Sequence, residues 1–327
     1  MQIINNIQVL RAIAAILVVF FHTIGTANLY GYGNDFFESP FSHVWGASGV
    51  DIFFIISGFI MILIQVKKNR SPLSFLKDRV IRIVPLYWFL TLFYFSILFF
   101  LPSIFNQKTY NFSELFFSLF FMAEFFSKQP MLYVGWSLEY EMFFYLIFGL
   151  SLFFKKIKIS IFISILFLFF AVCLGFNNIV FEFIFGMIFA YFWIKKPFKI
   201  NEYISYMLIA VGFISLVIFC NDKSLRLLTW GLPSLLIFIG FLNIKPINNK
   251  LMISLGNASY AIYLVQVFSI PLIYKIILKL NLPDFIFSEY LYILASIIFS
   301  IICGYLLHMI IEKPMSKFIL NLKLKKI

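Results

Sequence analysis

The sequence predicts an all-α, polytopic transmembrane helix bundle of about ten spans, forming a single domain over residues 1–327. Three observations predict it. Hydrophobic residues make up 62% of the chain and charged residues only 12%, against about 45–50% and about 25% in average soluble domains. The apolar residues fall into runs near the roughly 20 residues needed to cross a bilayer. Lys and Arg alternate sharply between successive connecting segments, as topology requires.

Ten spans are expected at about 7–25, 44–66, 83–105, 134–154, 157–175, 178–194, 203–220, 225–243, 251–280 and 288–311. Segment 112–127 is also apolar, but Glu114 and Glu124 bracket it, so it reads as an interfacial or re-entrant helix. With the N-terminus in the cytoplasm, the inside segments 67–82, 155–158, 195–199, 245–250 and 312–327 hold 19 of the 26 Lys and Arg residues. The outside loops hold Lys108, Lys128, Lys223 and Arg226. An even number of spans then places both termini inside. This asymmetry also accounts for the net charge of +12 without nucleic acid, since basic clusters hold topology beside anionic lipid. No signal-peptide cleavage pattern follows the first apolar run, which is expected to remain as a span. Cys173, Cys220 and Cys303 lie in or beside apolar runs at spacings that fit neither a zinc site nor a disulfide framework.

Ionisable residues within spans are costly, and each is a functional candidate. Arg11 and His22 are eleven residues apart in the first span. That separation places them on one helical stripe, roughly 16 Å apart along the axis. Asp51, Glu141 and Glu182 each enter a span from the outside and are expected within roughly 10 Å of the outer boundary, at the depth of His22. Three acids and an imidazole at one level point to a shared polar cavity, in which a carboxylate fixes the histidine tautomer. The plainer reading is that the acids favour helix N-termini near the interface. Glu139 and Glu141 point about 200° apart on a helix, so only one can face inward. On the cytoplasmic side Arg79 and Arg82 are i, i+3 neighbours, suited to a phosphate-bearing ligand, although topology alone would also place arginines there.

Several motifs carry a family resemblance. Leu10-Arg11-Ala12-Ile13-Ala14-Ala15 running to Phe21-His22, with ten residues between Arg and His, resembles the opening helix of the acyltransferase 3 family of membrane acyltransferases. Gly49-Val50-Asp51-Ile52-Phe53-Phe54-Ile55-Ile56-Ser57-Gly58-Phe59 is similar to its second signature. Arg79 and Arg82, followed by Ile83, Pro85 and Tyr87-Trp88, resemble its basic cytoplasmic motif. Trp136-Ser137-Leu138-Glu139-Tyr140-Glu141 is similar to a fourth block, in which the family acid matches Glu141. Phe185-Gly186-Met187, the stretch Gly256 to Leu264, and Glu312-Lys313-Pro314 follow in family order. One departure is Gln266, where many members carry a histidine; with Glu141-Met142-Phe143-Phe144-Tyr145 it resembles the branch that acetylates bacterial exopolysaccharides.

The resemblance implies transfer of an acyl group, foremost acetyl, from acyl-CoA to a hydroxyl of a cell-envelope polysaccharide or its lipid-linked precursor. It implies acetyl-CoA as a donor substrate and no tightly bound cofactor. The acceptor would be a glycan, in a multi-pass protein of the bacterial inner membrane that works beside polysaccharide-assembly proteins. It casts His22 as base or transient acyl acceptor, with Glu141 and Asp51 as catalytic carboxylates and Arg11, Arg79 and Arg82 as donor-binding residues. The rival readings are a glycan or lipid transporter or flippase, with Gly46, Gly49, Gly58 and Pro85 as helix breaks, and a non-catalytic partner of a polysaccharide synthase.

Overall fold

A computed structural model describes residues 2–32, 43–101, 111–196, 199–220, 225–280 and 288–324. Thirteen α-helices occupy these residues: α1 (Gln2–Leu29), α2 (Gly49–Lys67), α3 (Pro72–Phe100), α4 (Phe112–Leu119), α5 (Gly135–Ser151), α6 (Ile157–Cys173), α7 (Phe181–Lys195), α8 (Glu202–Phe219), α9 (Leu232–Asn243), α10 (Lys250–Asn257), α11 (Ser259–Lys279), α12 (Ser288–Leu307) and α13 (Lys313–Leu324). No strand occurs among the described residues. Eight helical segments are long and apolar enough to cross a membrane, and the shorter apolar helices Ile157–Cys173 and Leu227–Asn243 match the remaining two expected spans.

Three boundaries differ from the sequence reading. The third span begins at Pro72 rather than 83, because Ser71 accepts the Ser74 N–H as an N-cap and Pro72 takes the first turn. Arg79 and Arg82 therefore lie on one continuous helix, as their i, i+3 reading expects. The expected span 251–280 is two helices, α10 and α11, broken at Ala258. The last span continues past 311 through a π-helical turn at His308–Glu312 into α13. Helix α4 has eight residues, too few to cross, and opens with a capping box between Asn111 and Glu114. Residues 102–105 of the third expected span, and Lys108, Lys223, Lys325 and Lys326 of the charge count, lie outside the described residues.

Helix α1 is the hub, packing against α2, α9, α10, α11 and α12. Helices α2 and α7 cross closely: a Cβ at Gly58 would meet the Phe183 carbonyl and one at Gly186 the Ile55 carbonyl. Lipid supplies no hydrophobic drive between helices, so close backbone approach at small residues holds such a pair by dispersion. Outward faces are apolar, with Phe162, Phe167, Phe170, Tyr206, Met207 and Ile214 among the exposed side chains, as expected where lipid is the solvent.

Candidate active site

A cleft with about 700 Å³ of empty space, part of it open solvent, lies between α1, α2, α3, α5 and α11. Along α2 its lining runs from Val50 to Met61, a length of about 16 Å at the helical rise. It is a slot nearly parallel to the helices, walled largely by Phe53, Phe54, Ile60, Leu138 and Ile83. Its charged residues are Arg11 of α1, Arg82 of α3 and Glu141 of α5. Arg82 is exposed, as befits a residue at the mouth, and Arg11 is half-buried.

Glu141 is held by two hydroxyls. Ser57 Oγ donates to its Oε1 at 2.7 Å, and Tyr145 OH donates to the same oxygen at 2.5 Å. Tyr145 sits one turn on, at i+4 of the same helix, and Ser57 lies on the facing α2. Glu141 and Arg82 both act electrostatically on Arg11. Tyr145 also lies beneath the Arg79 guanidinium, whose centre is 5.9 Å from that ring and 5.8 Å from the ring of Phe75. Arg79 is buried, with Nε and Nη1 unpartnered. The two arginines expected to share a phosphate-binding face are thus separated: Arg82 lines the slot, while Arg79 is packed behind Tyr145.

Towards the outer end, Tyr263 OH donates to the Val134 carbonyl at 3.0 Å and lies 2.6 Å from Ser137 Oγ. Tyr133, next in the chain, meets His22 with ring centroids 4.8 Å apart, and Phe21 approaches the imidazole edge-on at 4.8 Å. His22 is half-buried, makes no hydrogen bond among the described residues, and is not among the residues that line the slot. The expectation that Glu141 orients His22 is therefore not met in this conformation, because both hydrogen bonds to Glu141 come from Ser57 and Tyr145. Glu141 does face the slot, as the motif resemblance implies, while Glu139 points away and accepts the backbone N–H groups of Ala123 at 3.1 Å and Glu124 at 2.8 Å.

The expected common level of acids is also corrected. Asp51 and Glu182 are fully buried, and Asp51 Oδ1 accepts from Arg226 Nη2 at 2.8 Å. Arg226, expected in an outside loop, instead precedes the π-helical turn Leu227–Gly231 and lies 4.8 Å over the Trp230 ring. This second cluster joins α2, α7 and that turn, and none of its three charged residues lines the slot. Sequence reasoning missed it because three distant segments supply it and no motif names Arg226. A depth argument treats acids on separate helices as neighbours without knowing which way each helix is turned.

Two further features went unread. Ser57 lies within a quoted motif yet was given no role, although a hydroxyl two turns from Gly49 on a cavity-lining helix was a legible signal. His308 Nδ1 is 2.6 Å from Glu312 Oε2 across the π-helical turn, and Glu312 acts electrostatically on both Arg11 and Tyr260 near the slot. No cluster of metal-binding side chains occurs among the described residues.

Comparison with known proteins agrees with this architecture. Residues 4–309 match the family model described as an acyltransferase domain. The Exopolysaccharide production protein ExoZ of Rhizobium meliloti (strain 1021) is 31% identical over 296 residues, covering 83% of this chain and 89% of that protein. No solved structure matches.

Proposed function

The chain belongs to the acyltransferase 3 family, and on that premise we propose that it transfers an acyl group, foremost acetyl, from acyl-CoA to a hydroxyl of an exopolysaccharide or its lipid-linked precursor. The relative's name supplies the link to exopolysaccharide. The observation that carries the donor assignment is the slot itself. It is about 16 Å long on the α2 axis, apolar along its walls, and has Arg11 and Arg82 in its lining. Such a shape suits a long, thin, uncharged arm with phosphates at one end, since guanidinium groups bind phosphate through paired N–H donors.

In the proposed reaction the donor enters from the cytoplasmic face, with its phosphates at Arg82 and Arg11 and its thioester towards Ser137 and Tyr263. The acceptor hydroxyl arrives from the outer side beside His22. The imidazole takes the hydroxyl proton as the oxygen attacks the thioester carbonyl. The carbon–sulfur bond then breaks, an ester forms, and the departing thiolate recovers a proton from the imidazolium. Glu141, braced by Ser57 and Tyr145, sets the negative counter-charge opposite Arg11. Asp51 drops out as a chemical participant in this scheme, because Arg226 engages it. Both termini lie in the cytoplasm of a bacterial inner membrane, by the distribution of basic residues.

The test is thioester consumption by the purified protein in detergent, with acetyl-CoA alone and with added glycan. Slow hydrolysis that accelerates with a hydroxyl acceptor, together with an ester-sized mass increase on the glycan, is expected. Indifference to acetyl-CoA would return the slot to a transport or scaffolding role.

A further inference from the structure

The hydroxyl groups that line the slot divide by what they hold. Ser57 and Tyr145 donate to Glu141. Tyr260 OH donates to the Ile83 carbonyl at 2.8 Å, next to Arg82, and Ser259 precedes Tyr260 in the chain. Ser137 of α5 and Tyr263 of α11 form a separate pair, 4% and 5% exposed, with 2.6 Å between their oxygens. The Val134 carbonyl is within reach of both: it accepts from Tyr263 OH at 3.0 Å and from Ser137 Oγ at 3.2 Å.

This pair joins the slot to the residue that packs on the imidazole. Val134 directly follows Tyr133, whose ring centroid is 4.8 Å from that of His22. The Tyr133 and Tyr263 hydroxyls also act on one another electrostatically. Two hydroxyl protons share one carbonyl here, so that carbonyl keeps a donor when either hydroxyl turns away. One O–H can therefore be offered to a ligand in the slot without leaving a buried acceptor unmade, a loss that would otherwise cost free energy. The phenol is the better donor of the two, because its O–H is the more acidic, with an ordinary pKa of about 10.

We propose that Tyr263 is a further catalytic residue, which donates its O–H to the acyl carbonyl oxygen of the donor, and that Ser137 is a positioning residue, which keeps the Val134 carbonyl satisfied as Tyr263 turns. The proposal rests on the acyltransferase reading above. As the acceptor oxygen adds to the thioester carbon, the carbonyl π pair moves onto oxygen and negative charge develops there. The Tyr263 hydrogen bond strengthens against that charge, and its proton stays on the phenol. When the pair returns to re-form the carbonyl, the carbon–sulfur bond breaks and the thiolate leaves with its electrons. The acceptor's proton passes through His22 to that thiolate, so Tyr263 begins and ends the cycle neutral. A donor fixed in a water-poor site beforehand stabilises such an oxyanion without reorganising at the moment of reaction.

The experiment uses the full-length protein in detergent, with acetyl-CoA as donor and glycan as acceptor. Turnover, equilibrium affinity for acetyl-CoA and thermal unfolding are measured for the wild type, Tyr263→Phe and Ser137→Ala. Tyr263→Phe keeps the ring that meets Phe53 edge-on at 6.3 Å and removes only the hydroxyl. Loss of one oxyanion donor lowers kcat by about 10²–10³-fold, and that fall is expected with acetyl-CoA affinity and melting temperature unchanged. Ser137→Ala leaves Val134 without a donor whenever Tyr263 turns, so its turnover should fall by roughly fivefold or more, again at unchanged affinity. Wild-type turnover in Tyr263→Phe overturns the proposal. A loss of turnover matched by equal losses of affinity or stability overturns it too, because the hydroxyl would then serve only to hold the helices. Should Tyr263→Phe not fold, Ser137→Ala decides, and wild-type turnover there overturns it. A wild-type protein that ignores acetyl-CoA would bring down the acyltransferase reading itself, a result distinct from an active wild type beside an equally active Tyr263→Phe.

Discussion

Two groups of charged residues lie within the bundle, and they differ in the space around them. Arg11, Arg82 and Glu141 line an open slot about 16 Å long on the α2 axis. Asp51, Glu182 and Arg226 are packed together, with Asp51 and Glu182 fully buried and Asp51 paired to Arg226 at 2.8 Å. The residue types are the same, carboxylates and guanidinium groups, but what they can do is not. Charges beside empty volume can exchange protein partners for a ligand. Charges packed against one another serve one another, and removing the one cation leaves two buried acids uncompensated. The closed group ties α2, α7 and the turn before α9 together, and the open group is left to meet the donor.

The largest expected effect concerns His22, which lies against Tyr133 outside the slot's lining. Replacing His22 by Ala should lower glycan acetylation by about 10²–10⁴-fold, the usual value of a general base, while acetyl-CoA still binds. Turnover and donor affinity measured on one detergent preparation check this. Turnover close to wild type would remove His22 from the mechanism, and loss of donor binding would move it into the donor site.

Next in size is the closed cluster. Arg226→Gln should destabilise the protein by about 3–5 kcal/mol, because it leaves Asp51 and Glu182 buried without a cation, whereas Asp51→Ala should cost less, because Glu182 remains beside the guanidinium. The double variant Asp51→Asn, Arg226→Gln should be milder than the sum of its single changes, since coupled partners are not additive. Thermal unfolding in detergent reads both. Should the single Asp51 variant keep its melting temperature yet lose activity, Asp51 would be chemical after all and the contrast between the clusters would fail.

A smaller effect separates two acids on α5. Glu139→Gln weakens the carboxylate bonds to the backbone at Ala123 and Glu124 and should cost about 1–3 kcal/mol of stability. Glu141→Gln should leave stability nearer to wild type and lower turnover instead, because it removes the negative charge opposite Arg11. The reverse pattern would mean that Glu139, not Glu141, serves the site.

Much of this was legible in the sequence, and the rest was not, for identifiable reasons. Spans were visible because a bilayer imposes length and apolarity on each segment independently. That only one of Glu139 and Glu141 faces inward was legible from the helical period, and the choice of Glu141 from the motif resemblance. The early start of α3 was signalled by Ser71-Pro72, an N-cap followed by a first-turn proline, but basic residues drew the boundary inward to 83. Near the break between α10 and α11, a Cβ at Gly256 would fall on the Gln8 carbonyl of α1, a tertiary contact that local pattern cannot reveal. Partner choice was least legible. Asp51 with Arg226, Arg79 with Tyr145, and Ser57 with Glu141 are set by how each helix is rotated against its neighbours, and single-chain periodicity leaves that rotation open.

The central claim is that the open cluster binds the donor and the closed one does not. Acetyl-CoA affinity, measured by equilibrium binding for Arg82→Ala beside the wild type, tests it most directly. A charged hydrogen bond to phosphate is worth about 1.5–3 kcal/mol, so affinity should fall roughly 10- to 100-fold with the melting temperature unchanged. Wild-type affinity in Arg82→Ala would contradict the account and show that the donor binds elsewhere.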